Sequence, residues 1–313
     1  MIARILVTGA TGFLGSHVVR SLANTNAQIY ALVRRGADRW RLTDLRERIN
    51  WVEGDLSETW SISQAVEKVS PTVVIHCAAY GVDYREQNAQ IAIKVNILGT
   101  KALLDASIAV GVQRFIHTGT CFEYGSKEYS ITEKETLEPI SSYGVSKAAS
   151  TLIVLQQAKE KDLSVVVLRP FTMYGPNEGD HKFVPQVIQA CLSATPLDLT
   201  GGEQIRDYTY VEDVAYVYRR LVIENNFPTG EIFNIGSGTP ITIQELGINI
   251  ARLLNRESVL HWGTLSYRNG EMKMLVADVA KAKQMLNWHP STNLQDGLQK
   301  TIDYYKHKKE GTQ

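Results

Sequence analysis

The chain has 313 residues, and its 33 basic and 33 acidic side chains cancel, which argues against nucleic acid or an anionic membrane surface as a partner. No apolar run approaches membrane-spanning length, the first strand begins too near Met1 for a secretory leader, and Cys77, Cys121 and Cys191 share no metal or disulfide spacing. A soluble, reduced, cytoplasmic protein without a resident metal is expected, long enough for one large core and a smaller lobe.

Along the chain, the apolar run Ile5–Thr8 predicts a strand, and Gly9-Ala10-Thr11-Gly12-Phe13-Leu14-Gly15 follows it directly. In such a loop the first glycine permits a tight turn and the second lets backbone approach a pyrophosphate. The third allows close helix–strand packing, with the phosphates resting on the helix N-terminus. An amphipathic stretch over Ser16–Ala23 completes the unit. Further strands are predicted over Ile29–Val33, Ile49–Glu53, Thr72–His76, Arg114–Thr118 and Ser164–Arg169, separated by helices over Ile62–Val69, Ile91–Val110 and Gly144–Lys161. Strands spaced by helices mean βαβ units and a parallel sheet with right-handed crossovers. The predicted fold is therefore α/β, a Rossmann-type doubly wound parallel sheet. After Arg169, Pro- and Gly-punctuated stretches predict a smaller C-terminal α/β lobe.

Two sets of residues carry chemistry. After the second strand come Arg34 and Arg35, with no carboxylate until Asp38. A carboxylate there would bond the ribose hydroxyl of NAD, whereas arginine forks suit the phosphate of NADP, so NADP is expected, with NAD the alternative. Further on stand Thr120 and Tyr143-Gly-Val-Ser-Lys147. Tyr143 and Lys147 share one helix face, one turn apart. An ammonium beside a phenol favours the phenolate, which predicts a lowered Tyr143 pKa and proton exchange near neutrality. Thr120, at a strand end, is placed to bond the same substrate oxygen. Ser141 and Ser142 supply an N-terminal cap for that helix.

These motifs resemble the extended short-chain dehydrogenase/reductase family of nucleotide-sugar epimerases, dehydratases and ketoreductases. The resemblance also takes in Gly54-Asp55-Leu56, His76-Cys77-Ala78-Ala79, Asn96 to Thr100, Thr118 to Gly125, Arg169-Pro170-Phe171, Arg206-Asp207-Tyr208 and Glu212-Asp213. It implies a dinucleotide site at Gly9, Thr11, Gly12, Phe13, Leu14, Gly15, Asp55, Leu56, Ala78, Ala79, Asn96 and Pro170, with Asp55 capping the adenine amino group. It further implies a nucleotide-diphosphate sugar held by Tyr80, Thr172, Lys182, Phe183, Val184, Arg206 and Arg268. Lys147 would hold the nicotinamide ribose and Thr120 would polarise the reacting oxygen. Residues 1–169 with about 211–235 would form the dinucleotide domain, and 170–210 with 236–313 the sugar-nucleotide lobe.

One departure narrows the reaction. Dehydratases of the family carry Thr-Asp-Glu where this chain has Thr120-Cys121-Phe122, and neither a thiol nor a phenyl ring performs that acid–base step near neutrality. Glu123 is displaced by one position and expected to point elsewhere. The resemblance then implies NADP-dependent reduction of a 4-keto-6-deoxy nucleotide sugar, with the proton from Tyr143. A 4-epimerase with tightly held NAD is the alternative. A non-catalytic NADP sensor is a third reading, disfavoured because Tyr143 and Lys147 are both present. The helices over Ile91–Val110 and Gly144–Lys161 are apolar on more than one face, and the resemblance implies that they pair in a homodimer.

Overall fold

A computed structural model describes residues 3–224, 226–267 and 270–310. The first half runs β1 (Arg4–Thr8), α1 (Phe13–Leu22), β2 (Gln28–Val33), β3 (Asn50–Glu53), α2 (Thr59–Val69), β4 (Val73–His76), α3 (Ala89–Ala92), α4 (Thr100–Ala109), β5 (Arg114–Thr118), α5 (Ser142–Lys161) and β6 (Ser164–Pro170). The second half adds β7 (Thr172–Tyr174), α6 (Phe183–Ser193), β8 (Leu197–Asp198), β9 (Ile205–Tyr210), α7 (Val211–Ile223), β10 (Glu231–Ile235), β11 (Pro240–Thr242), α8 (Ile243–Leu253), β12 (Leu260–His261), β13 (Met274–Leu275), α9 (Ala280–Leu286) and α10 (Leu294–Glu310).

The central sheet has seven parallel strands in the order β10-β6-β5-β4-β1-β2-β3, so the chain reverses direction across the sheet between β1 and β4. Ligands of open α/β sheets bind at the carboxyl ends beside such a reversal. β4 is buried along its whole length and β6 at all but its first residue, which fits strands covered on both faces. One face packs on α1, α7 and α9 through Val18, Val214, Val217 and Leu286. The other packs on α2, α4 and α5 through Ile62, Val66, Leu103 and Val154. β10 lies beside β6, so a late segment completes the sheet begun by the first half.

A second sheet joins β9 to β11, β13 and β7, and α6, α8 and α10 enclose the core around Tyr174, Val187, Tyr208, Leu246 and Ile302. A seam of Cys121, Tyr124, Ile131, Phe171, Met272, Leu275 and Ala277 packs where the two bodies meet. Asp207 holds that seam closed. One carboxylate oxygen accepts Ser237 N–H at 2.6 Å, and the other accepts Gly238 N–H at 2.9 Å and Ala277 N–H at 3.1 Å.

The six strands expected from the sequence agree with β1–β6 to within one residue at either end. Helix starts differ more. α1 begins at Phe13 rather than Ser16, because Gly12 itself takes the extended N-cap conformation (φ −75°, ψ 176°). The stretch expected as one helix over Ile91–Val110 starts at Ala89 and is π-helical over Ile93–Gly99 before α4 continues it. Gly99 sits where a Cβ would stand 2.5 Å from the Leu56 carbonyl oxygen. Only a bare backbone fits there. π-Helical turns occur most often at functional sites, and this one carries Asn96.

Candidate active site

The glycine loop is built as its spacing requires. Gly9 has φ +65°, a region that favours glycine, and a Cβ there would stand 2.6 Å from Ala78 N. A Cβ on Gly15 would stand 2.1 Å from the Gly9 carbonyl oxygen, so α1 packs directly against the turn. Gly12 N–H donates to Gly9 O at 2.9 Å. No side chain caps α1. Its first-turn N–H groups are thus not taken by a capping side chain, and these residues fit the pyrophosphate of a dinucleotide. Thr11, Phe13 and Leu14 complete the turn, and Phe13 meets His17 edge-on at 5.5 Å. Arg34 and Arg35 are exposed directly after β2. Asp55 accepts Ser57 N–H at 2.8 Å, while the residue at the N-cap of α2 is Glu58. Asp55 is therefore not a helix cap.

A buried chain of hydrogen bonds links this loop to the π-helical turn. Thr8 Oγ1 accepts Ala78 N–H at 3.2 Å and lies 2.6 Å from His76 Nδ1. His76 Nε2 lies 2.8 Å from Thr100 Oγ1, whose hydroxyl donates to the Asn96 carbonyl at 2.6 Å. Since that hydroxyl's one proton is committed, His76 must present Nε2–H to it. Asn96 in turn grips Tyr80, accepting its N–H at 2.7 Å and donating to its carbonyl at 2.8 Å, and donates to Ser146 Oγ on α5 at 2.8 Å. The Asn96 amide is thus occupied by protein groups. Its two amide protons and one acceptor site of Oδ1 fix the Ala78-Ala79-Tyr80 segment and brace it on α5.

α5 opens at Ser141, whose hydroxyl accepts Gly144 N–H at 3.1 Å, and its first turns carry Tyr143 and Lys147. Thr120 Oγ1 accepts Phe122 N–H at 3.3 Å, and its hydroxyl lies near enough to Tyr143 to favour the phenolate. Phe122 stands edge-on to the Tyr143 ring at 5.9 Å, and Gly81 packs closely enough on Tyr143 that a Cβ there would stand 3.1 Å from its Cβ. Lys147 is buried, with Nζ 3.5 Å from His117 Nε2. Burial lowers the Lys147 ammonium to about 8, and nearby Glu123 and Cys77 partly offset that fall.

The lowered Tyr143 pKa expected from the sequence is not found. Burial pushes the phenol up, and the opposing influence comes from Thr120, not from Lys147. Desolvation of the phenolate outweighs the influence of the Thr120 hydroxyl that favours it. The phenol is therefore protonated at neutral pH.

Glu123 does turn away from the cleft. It is fully buried and pairs with Arg169 at 2.7 Å. Cys121 is buried too, and its thiol is pushed up to about 12. Neither supplies the carboxyl pair that dehydration needs.

On the second body, Arg206 donates to Ile205 O at 2.9 Å and Met272 O at 2.7 Å, and its charge acts on Cys121 beside Thr120. Lys182, at the N-cap of α6, donates across to Val82 O at 3.1 Å, and its neighbour His181 meets Asp83 at 3.1 Å. Phe183 and Val184 form the first turn of α6, and Thr172 starts β7, one residue beyond the buried Pro170–Phe171 pair. Arg268 lies outside the described residues. Arg41, which the sequence reading missed, donates to Thr11 O at 3.1 Å and Asn177 O at 2.9 Å, bracing the glycine loop against the second body. No spacing marked it.

Fold and site together define a nicotinamide-dinucleotide enzyme in which a tyrosine, a lysine and a threonine meet beside a glycine-rich loop. A family description, the NAD dependent epimerase/dehydratase family, matches residues 5–236. The chain belongs to that family of nucleotide-sugar enzymes. It is 28% identical to the UDP-glucuronate 4-epimerase of Thermodesulfobacterium geofontis over 96% of this chain and 95% of that one. It resembles the crystal structure of a UDP-glucose 4-epimerase from Thermotoga maritima with UDP-glucose (TM-score 0.88, 28% identity, 97% of this chain and 99% of that one). It is equally similar to DesIV, a dTDP-glucose 4,6-dehydratase of Streptomyces venezuelae solved with NAD and TYD (TM-score 0.88, 28% identity, 98% of each chain). Among the described residues, no helix is long and apolar enough to cross a membrane.

Proposed function

We propose that this protein is an NADP-dependent reductase of a 4-keto-6-deoxy nucleotide sugar. The observation that carries the reading is the composition of the strand end after β5. Thr120 lies near enough to Tyr143 to act on its phenol, while Cys121 is buried and Glu123 is committed to Arg169. The proton-transfer trio is complete, and the dehydrating carboxyls are absent. Arg34 and Arg35, exposed where a ribose-binding carboxylate would otherwise stand, support NADP over NAD.

Residues 1–169 with about 211–235 would hold the cofactor, through the glycine loop, Asp55 and Leu56. Residues 170–210 with 236–313 would hold the nucleotide sugar, with Arg206 and Lys182 near its phosphates. A bound nicotinamide supplies the hydride to the carbonyl carbon. Tyr143, kept protonated by its burial, gives its proton to the carbonyl oxygen as charge develops there, so the ketone becomes an alcohol. Thr120 bonds the same oxygen, and Lys147, still an ammonium below its pKa of about 8, donates to the ribose hydroxyls. Two copies of the chain would pair through α5 and the helix preceding β5.

A 4-epimerase with tightly held NAD is the second reading, favoured by the 4-epimerases among the chain's relatives. Purified protein settles the choice. A reductase oxidises free NADPH when given a panel of keto-sugar nucleotides. An epimerase carries NAD through purification and interconverts sugar nucleotides without added cofactor, and that result would displace the reductase.

A further inference from the structure

Glu123 ties the backbone of Thr120 to the helix that carries Tyr143 and Lys147. One carboxylate oxygen accepts Thr120 N–H at 2.8 Å and Thr151 O–H at 3.2 Å. The other accepts Arg169 Nε–H at 2.9 Å and Nη2–H at 2.7 Å. Arg169 Nη1 then donates to Tyr124 OH at 2.7 Å, which donates to Asn234 Oδ1 at 2.8 Å. Four donors surround a carboxylate with no solvent exposure, so its acceptor capacity is fully used.

The position of Thr151 matters. It lies one helical turn beyond Lys147 and two beyond Tyr143, on the same face of α5. The carboxylate thus joins the backbone of Thr120 to the helix that bears the other two residues, and joins both to β6 through Arg169. Gly119 makes room for it, since a Cβ there would stand 2.6 Å from the carboxylate oxygen and 3.0 Å from Arg169 Cγ. From the sequence alone, Glu123 reads only as a misplaced catalytic acid.

We propose that Glu123 is a positioning residue, which sets Thr120 in the cleft beside Tyr143 and holds its carboxylate against Thr151, one helical turn from Lys147. The inference rests on the trio assigned above. The groups acting on Lys147 support it. His117 on β5 and His76 on β4 are held neutral by burial, Cys77 is a thiol pushed up to about 11, and Tyr143 is a protonated phenol. Arg169, from β6, is paired with Glu123 itself. Glu123 is the carboxylate in this set, and it opposes the burial that depresses the amine.

The test measures NADPH affinity by fluorescence titration across pH, which needs no turnover. Wild type should lose affinity as pH rises through about 8, where Lys147 gives up its proton. In Glu123→Gln that loss should move down by about one pH unit or more, the size of a close opposite charge removed. Affinity well below the transition should stay within a few-fold. Glu123→Gln leaves Arg169 buried without its partner, so Glu123→Gln/Arg169→Gln is made beside it as a neutral pair and should show a shift in the same direction but smaller, because the opposing Arg169 charge goes too. Glu123→Asp should restore the wild-type midpoint yet keep a low kcat, because the shorter arm no longer reaches Thr120. An unchanged midpoint with affinity lowered equally at every pH would overturn the proposal and leave a purely structural ion pair. Failure of wild type to reduce any keto-sugar nucleotide would overturn the reaction instead, and the midpoint comparison would still decide Glu123.

Discussion

Lys147 Nζ faces His117 Nε2 at 3.5 Å in a pocket where neither side chain exposes more than 2% of its surface. An ammonium opposite a neutral imidazole, with no carboxylate in contact among the described residues, is poorly compensated for its lost hydration. The site therefore carries a stability cost, which has a pH signature. The amine titrates near 10.5 in the unfolded chain and near 8 in the fold. Below pH 8 it is charged in both states and the fold bears the full penalty. Between 8 and 10.5 the unfolded state holds the extra proton, so stability rises with pH. The rise should be about 3 kcal/mol, at roughly 1.4 kcal/mol per pKa unit. Lys147→Met should be more stable than wild type at pH 7 and lack this slope, while binding cofactor weakly. Urea unfolding at pH 7 and pH 10 measures both, and equal slopes in the two proteins would count against the assignment.

The chemistry predicts a graded series at Tyr143 and Thr120. Tyr143→Phe removes the proton donor but keeps the ring that packs on Phe122 and Gly81. Cofactor affinity should hold while turnover falls ~10²–10⁴-fold, the usual contribution of general acid catalysis. Thr120→Ser should be mild. Thr120→Val should be severe, because the hydroxyl is the group assigned to bond the substrate oxygen beside Tyr143. Near-normal turnover in Tyr143→Phe would move the proton source elsewhere.

Much of this was legible in the sequence. The central strands β1, β4, β5 and β6 could be read because nearly buried parallel strands are short apolar runs, and the glycine loop because its geometry admits no substitute at Gly9 and Gly15. Thr120, Tyr143 and Lys147 announce themselves by residue type and spacing. What stayed hidden depends on contacts between segments far apart in the chain. Glu123 and Arg169 are 46 residues apart, and Arg41 and Asn177 are 136 apart. No local period marks such partners. The direction of the Tyr143 pKa was misread for a related reason. Adjacency to Lys147 is visible in sequence, but the desolvation that outweighs it depends on how Gly81, Phe122 and Thr120 close around the ring.

Cofactor preference should reside in Arg34 and Arg35. Both are exposed at the end of β2, and no carboxylate stands beside them to accept ribose hydroxyls. Each charge-assisted bond to a phosphate is worth ~1.5–3 kcal/mol. The double variant Arg34→Ala/Arg35→Ala should accordingly weaken NADPH by a few kcal/mol and leave NADH little changed. Equal NADH and NADPH affinity in the wild type would exclude the assignment.

The outer face of α5 predicts self-association. Val145 and Leu152, two turns apart on that helix, are 51% and 57% exposed, and Ile93 and Leu98 on the neighbouring helical stretch are 49% and 51% exposed. Ile93 and Val145 border a groove of about 360 Å³ that is otherwise lined by Ile97, Pro139 and Ile140, with Ala89 and the serines Ser141, Ser142 and Ser146. Polar residues would occupy such positions on a helix facing water. A two-fold pairing of this surface covers the same side chains on both copies. Burying each large aliphatic contributes ~1.5–3 kcal/mol, so a few per copy suffice. Sedimentation should give a dimer at micromolar concentration. Leu152→Glu should shift it to monomer without disturbing Lys147, because that side chain points outward while Thr151 beside it is buried against Glu123. A wild type that sediments as a monomer would leave this face without its proposed partner.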